Sequence, residues 1–115
     1  MMALQKIKIL DLTNDPNFVD TEDGNKVHEL VATAFERGDN VELSFVGASQ
    51  IITAFTNAVI GQLYNEFPED MIKRKLKIVD VPEGFGGTIV RSINRGKRFY
   101  ENKDEIGEIM SHYEG

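Results

Sequence analysis

Apolar and polar residues alternate along three stretches of the chain, with the two-residue period of a β-strand. These stretches are 5–12, 40–46 and 76–81. The segment 13–23 is rich in Asn, Asp, Pro and Thr, which predicts a loop, in which Phe18 and Val19 could form a short strand or an anchor. We expect the second and third strands to form the centre of a sheet and the first strand to lie at its edge.

Apolar residues recur every three or four positions in two longer stretches, as they do on one face of a helix. The first predicted helix follows Gly24 and ends at Gly38, and the second has Thr53 as its N-cap and ends before Pro68. The apolar face of the first helix comprises Val27, Leu30, Val31, Ala34 and Phe35. The face of the second comprises Ile52, Phe55, Val59, Leu63 and Phe67.

Shorter helical patterns follow at 69–75, around Ile89 to Ile93, and at 104–113. Strands that alternate with helices predict an α/β fold, here a small, mixed, mostly parallel sheet of about four strands with helices packed against it. The length of 115 residues fits one domain over 1–115, with a core at 5–100 and a C-terminal helical extension at 101–115.

The composition narrows the classes of protein that the chain fits. It contains no cysteine, which excludes disulfides, thiolate-bound metals and thiol nucleophiles. No apolar stretch approaches the roughly 20 residues of a membrane span, and the N-terminus lacks the apolar core of a signal peptide. We therefore expect a cytoplasmic protein without a membrane segment.

The charges are unevenly distributed along the chain, whose formal net charge is −6. Residues 1–72 hold 4 basic and 12 acidic residues, whereas residues 73–115 hold 9 and 7. This acidic balance argues against broad nucleic-acid binding. In the basic half, Arg91, Arg95 and Arg98 recur at helical spacing. This pattern predicts either a solvated helix face or a cationic ridge for an acidic partner protein, with nucleic acid as the weaker alternative.

Three segments, Gly24 to Leu30, Val41 to Ala48 and Ile51 to Leu63, resemble the bacterial STAS-like family of unknown function, whose members are similar to anti-sigma-factor antagonists. The resemblance implies a STAS-like α/β domain that regulates by binding a protein and has no enzymatic activity. The implied partner is an ATPase-like kinase or another signalling component.

In STAS relatives, a partner kinase phosphorylates a Ser or Thr in the turn between the central strand and the next helix. The resemblance places this acceptor at or near Thr53. Two positions differ from the antagonist pattern, since Ile52 replaces an acidic residue and Ser44 replaces an aspartate. The predicted partner-binding or phospho-switch residues are Ser49, Gln50, Thr53, Thr56 and Asn57.

A glycine-rich loop after the third strand suggests a second function, a small-ligand or nucleotide-binding protein. Its spacing matches neither a Rossmann fingerprint nor a Walker A loop, so a flexible turn is the competing interpretation. The residues of this anion or ligand site would be Gly84, Gly86, Gly87, Thr88 and Arg91.

A third hypothesis is a structural subunit that forms a homodimer or larger homo-oligomer through Ile106, Ile109, Met110 and Tyr113.

No pattern of residues predicts catalysis. His28 and His112 lack neighbours at metal-ligand spacing, and no serine lies in a nucleophile motif. The pairs Glu22-Asp23 and Glu69-Asp70 are interpreted as first-turn charges that complement helix dipoles. We therefore expect no catalytic residue, no metal and no cofactor.

Overall fold

The fold is an α/β arrangement in the computed structural model, which describes residues 3–98. In that part of the chain the elements are, in order, β1 (Leu4–Lys8), α1 (Ile9–Thr13), β2 (Asn17–Phe18), α2 (Thr21–Glu36), β3 (Asn40–Ser44), β4 (Gln50–Ile51), α3 (Thr53–Thr56), a π-helical turn (Asn57–Gly61), α4 (Gln62–Glu66), α5 (Glu69–Lys75), β5 (Leu76–Val79) and α6 (86–98). The helix predicted at 104–113 and the oligomer face that it would carry lie outside the described residues.

The main sheet contains β1, β3 and β5 in the order β1-β3-β5, with both pairs parallel. The predicted α/β class and the mostly parallel sheet are confirmed. Of the two strands expected at the centre, only β3 lies there, because β5 pairs with β3 alone among the described strands. Val41 and Leu43 of β3 are buried on one face, and Lys6, Glu42 and Lys77 stand in register on the other.

Two very short strands, β2 and β4, pair in parallel as a separate sheet. They join the segment predicted as a loop to the segment before the second predicted helix. Phe18 of β2 is 1% exposed and stacks on Phe55, with ring centroids 5.3 Å apart. This ring anchors the β2–β4 pair to the hydrophobic core.

The strand predicted over 5–12 is wrong at its C-terminal end, because β1 stops at Lys8 and α1 begins at Ile9. Ile9 is fully buried, and the left-handed Asn14 (φ 55°) terminates the short helix. An Ile followed by two leucines fits either period. The bond from the Asn14 N–H to the Leu10 carbonyl, at 2.9 Å, shows that this segment is a helical turn.

The first long helix, α2, begins earlier than predicted because Asp20 accepts the Glu22 backbone N–H at 2.9 Å. Glu22 and Asp23 lie in its first turn, as predicted, and complement its dipole. The predicted stop is confirmed: Gly38 takes a positive φ of 85° and donates its N–H to the Phe35 carbonyl. Such a left-handed residue commonly ends a helix.

The second predicted helix is a continuous helix from Thr53 to Glu66, here called the central helix, formed by α3, the π-helical turn and α4. Its predicted apolar face is buried at Phe55, Val59 and Leu63. The N-cap prediction was wrong by one residue: Ile52 occupies the cap without a side-chain hydrogen bond, and Thr53 is the first helical residue.

Two helices complete the described chain. Helix α5 carries Glu69 and Asp70 in its first turn, as predicted, and basic residues in its last turn. Helix α6 is helical from residue 86, so two of the loop glycines, Gly86 and Gly87, belong to its first turn. Among residues 3–98, no helix combines the length and apolar character that crossing a bilayer requires.

Candidate functional site

Helix α6 packs tightly along the central helix, and this contact shapes the candidate site. Thr56 and Ser92 are both fully buried, and their hydroxyls form a short hydrogen bond between the two helices. The Thr56 hydroxyl also donates to the Thr53 carbonyl at 3.2 Å. Because a hydroxyl has only one proton to donate, Ser92 must be the donor in the bond to Thr56.

A close approach of two glycines lies further along the same contact. A Cβ added to Gly96 would stand 2.8 Å from the Gly61 carbonyl oxygen and 3.0 Å from the Tyr64 Cβ. Thr56 meets Ser92 and Gly61 meets Gly96, so residue numbers rise together along both helices. The two helices therefore run parallel, with their N-termini at the same end.

A salt bridge also ties α6 to α5. The Lys97 ammonium lies 2.8 Å from Glu69 Oε1, and the Lys73 ammonium lies 3.0 Å from the same atom. Hydrogen bonds from Lys97 and Lys73 hold the pKa of the Glu69 carboxyl below its usual range. This carboxylate stays ionised at neutral pH and contacts α6 near its C-terminal end.

A groove runs between the central helix and α6, here called the helix groove. It consists of two adjoining depressions that share Arg95. One encloses about 490 Å³ and is lined by Thr53, Arg91, Asn94, Arg95 and Arg98. The other encloses about 260 Å³ and is lined by Asn57, Gly61, Gln62, Asn65, Arg95 and Gly96.

The helix groove is positively charged. Arg91, Arg95 and Arg98 are exposed at the helical spacing that the sequence predicts. Arg91 also donates to the hydroxyl of the buried Thr88 at 3.2 Å, which restricts the position of its guanidinium. No acidic residue is among the described residues that line the two depressions. An anionic group in the groove would therefore meet cations without a competing carboxylate.

The opposite wall of the groove carries amide side chains. Asn57 and Asn65 each have a buried amide oxygen without a hydrogen-bond partner within residues 3–98. Unsatisfied buried polar atoms are uncommon, and such an atom is an acceptor for ordered water or for a donor on a ligand. Asn57 also begins the π-helical turn, a feature frequent at functional sites.

The residues predicted to contact a partner divide into three groups. Ser49 and Gln50 are exposed, and both of their backbone N–H groups bond to the Pro16 carbonyl. Thr53 and Asn57 are partly exposed and line the helix groove. The expectation that Thr56 is exposed is wrong: it is 0% exposed because the central helix turns it toward Ser92.

The end of the glycine-rich loop lies beside Arg91: Arg91 donates to the Thr88 hydroxyl at 3.2 Å, and a Cβ added to Gly87 would stand 3.7 Å from Arg91 Nη1. Gly84 makes a turn with a φ of 94°, and Gly86 and Gly87 are helical. Thr88 is buried, so its hydroxyl faces Arg91 rather than solvent. Arg91 lines the helix groove, whereas none of residues 84–88 does.

Of the two histidines, His28 lies within the described residues, and its ring makes one polar contact there. His28 Nε2 contacts Glu66 Oε1, which joins α2 to the central helix. Within residues 3–98, no group of three His, Asp or Glu side chains is arranged to hold a metal ion. His112 lies outside these residues.

Several groove residues were missed by the sequence interpretation, namely Gly61, Gln62, Asn65, Asn94 and Gly96. One usable signal was present. Ser92 and Gly96 are small and lie four residues apart beside Ile89 and Ile93, a pattern that predicts close packing against another helix. On the central helix, Gly61 belongs to the same signal, because an isolated glycine inside a helical pattern commonly marks a close packing contact.

The parallel sheet and its packed helices define a small α/β domain of the STAS-like type. The family model described as "STAS-like domain of unknown function (DUF4325)" matches residues 23–83, and the chain belongs to this family. Comparisons with curated proteins and with solved structures returned no match. The match extends from α2 to just beyond β5, so α6 and its three arginines follow the matched segment.

The two hydroxyls that bond between the helices, on Thr56 and Ser92, are expected to contribute unequally to stability. Thr56→Val is expected to lower the free energy of unfolding by about 1–3 kcal/mol, because it leaves the Ser92 hydroxyl without an acceptor. Ser92→Ala is expected to lower it by less, since Thr56 keeps its bond to the Thr53 carbonyl. Urea unfolding of both variants measures the difference, and a larger loss for Ser92→Ala would contradict the assigned donor.

Proposed function

We propose that this protein is a non-catalytic regulatory module that binds a protein partner through the helix groove and the adjoining segment 49–52. This segment contains β4 and is here called the 49–52 bend. One observation carries the proposal: Thr53, the acceptor implied by the family resemblance, lines the same depression as Arg91, Arg95 and Arg98. Thr53 and the three arginines are thus some 40 residues apart in sequence but lie on one surface.

The build of this surface supports a binding role. The two helices that form this surface are held together by the Thr56–Ser92 hydrogen bond and by the close packing of Gly61 on Gly96. These buried contacts make the base of the groove rigid. Its rim is exposed and charged at the three arginines. The 49–52 bend lies directly before Thr53 in the chain and adds two exposed side chains, Ser49 and Gln50. A rigid, concave surface binds with little loss of conformational entropy.

We further propose that phosphorylation of Thr53 controls this binding. A partner kinase would transfer the γ-phosphoryl group of ATP to the Thr53 hydroxyl oxygen, releasing ADP and a proton. The product adds about −1.5 to −2 charges at the first residue of a helix, where the dipole favours anions. The nearby arginines would then neutralise the phosphoryl group and no longer be available to the partner.

The test is affinity capture from cells of the native host, using the wild-type chain and the Thr53→Glu and Thr53→Ala variants as bait. We expect a protein that is retained by wild type and Thr53→Ala and lost with Thr53→Glu. The physical reason is that only glutamate places a negative charge beside the arginines. Quantitative mass spectrometry of the eluted proteins measures the loss.

The matched control is Thr33→Glu, which adds the same charge at an exposed position on α2 outside the helix groove. This variant is expected to retain the partner as well as wild type does. Equal capture by Thr53→Glu and Thr53→Ala would exclude control at Thr53. Absence of any protein that wild type retains specifically would count against the binding role itself.

A further inference from the structure

We propose that the helix groove binds an acidic segment of the partner, whose carboxylates pair with Arg91, Arg95 and Arg98. The inference rests on the proposed binding function and specifies the chemistry of the partner. It assigns partner binding to the three arginines of α6, a helix that follows the segment matched by the family model. Helix α6 is in this view the specificity element of the domain.

Charge complementarity is the first argument. The chain as a whole carries a formal charge of −6, yet three arginines gather in one depression without an acidic residue among its described lining residues. Like charges placed this close repel each other, so the arrangement favours an anionic ligand that relieves the repulsion. Arginine also pairs with carboxylates through two parallel hydrogen bonds, which gives directional binding.

The spacing of the arginines defines the shape of the ligand. Arg91 and Arg98 are seven residues apart, which corresponds to about 10 Å along a helix axis. A partner helix with glutamates at the same i, i+4 and i+7 spacing would present a matching row of carboxylates. The bond from Arg91 to the buried Thr88 hydroxyl fixes one end of the row before binding.

The second wall of the groove suits a polypeptide. Asn57, Gln62 and Asn65 place amide side chains along the depression shared with Arg95. Gln62 already donates to Asn25 Oδ1 and to the Ala58 carbonyl. Asn57 and Asn65 are therefore the amides of this set that can donate to the carboxylates of a peptide. Because amide side chains carry no net charge, they would not repel the acidic segment.

A nucleic acid fits this surface less well. Three arginines neutralise about three phosphates, while the acidic remainder of the chain repels a long polyanion. The described groove residues also include no aromatic ring on which a base could stack. An acidic peptide is therefore the proposed occupant, and an oligonucleotide becomes a competing outcome of the test.

The experiment titrates the ¹⁵N-labelled full chain with a synthetic peptide, AEAAAEAAEAAA, whose glutamates repeat the arginine spacing. The reference peptide has glutamine at the three glutamate positions. We expect the acidic peptide to shift the backbone N–H signals of Thr53 and Asn57 and the Nε–H signal of Arg95, and the glutamine peptide to leave them unchanged. Raising NaCl to about 0.3 M should weaken the binding, because the contacts are exposed.

Matched triple variants test the assignment. Arg91→Gln, Arg95→Gln and Arg98→Gln together are expected to weaken peptide binding about tenfold or more, the combined effect of three exposed charge contacts. The control replaces Lys6, Lys26 and Lys77 by Gln, which removes the same charge from exposed positions elsewhere. It should bind as wild type does.

Three results would overturn the acidic-segment proposal. The first is equal weakening in the two triple variants, and the second is peptide-induced shifts confined to residues outside the groove. The third is tighter binding of a ten-nucleotide oligothymidine than of the acidic peptide at the same salt concentration. If native capture succeeds while the peptide fails in any of these ways, the binding function stands and only the acidic partner is excluded.

Discussion

Replacing Phe18 by alanine is expected to lower the free energy of unfolding by about 3–5 kcal/mol. The ring is 1% exposed, stacks on Phe55 and lies 6.0 Å from the Phe45 ring centroid. Truncation would leave a cavity between these rings, which the two-residue strand β2 is too short to close. Urea unfolding followed by circular dichroism measures the loss.

The control for Phe18→Ala is Val19→Ala at the next position, where the side chain is 37% exposed. This change is expected to alter the free energy of unfolding by no more than about 0.5 kcal/mol. A loss below about 1.5 kcal/mol for Phe18→Ala would show that β2 does not anchor the 49–52 bend to the core.

Gly96→Ala is expected to destabilise the protein by about 1–3 kcal/mol, although alanine is the better helix former. The new Cβ would stand 2.8 Å from the Gly61 carbonyl oxygen, a distance that forces α6 away from the central helix. The same displacement would widen the helix groove, so binding of the acidic peptide should also weaken. Thermal or urea unfolding reads out the stability change.

Gly86→Ala is the matched control, since it lies in the same helix and an added Cβ would meet no atom within 4 Å. There the helix preference of alanine acts alone, and the variant should be neutral or more stable by up to about 1 kcal/mol. If Gly96→Ala were equally stabilising, the close helix contact would be refuted.

Much of the fold followed from hydrophobic periodicity. The stripes through Val27 and Val31 and through Phe55 and Val59 are long, and each predicted a helix with a buried inner face. Leu30 is the exception: it was assigned to the apolar face of the first helix but is 45% exposed. Short segments were harder, because the apolar run from Ile9 fits either a strand or a helical turn. The helical turn is shown by the bond from the Asn14 N–H to the Leu10 carbonyl, which the apolar pattern does not reveal.

Only one wall of the helix groove, the one formed by α6, could be predicted from the sequence. The spacing of Arg91, Arg95 and Arg98 indicated an exposed helical row, and α6 places them so. The other wall depends on which residues of the central helix meet α6. That choice is set by the Thr56–Ser92 bond and by the π-helical turn, which no local pattern announces.

Thr56 illustrates this limit. Its position three residues after Thr53 suggested an outward side chain on the same surface. The central helix is covered on more than one side, by α2, where an added Gly24 Cβ would clash with Ala58, and by α6. A helix covered in this way buries polar residues that an isolated amphipathic helix would expose.

The backbone conformation of the 49–52 bend depends on the pairing of β2 with β4 and not on the side chains of Ser49 and Gln50. Main-chain bonds to Pro16 and Phe18 hold the bend, while the Ser49 and Gln50 side chains take no part in those bonds. Substitutions at these two positions can therefore change the exposed chemistry of the bend while its main-chain bonds keep the same backbone path.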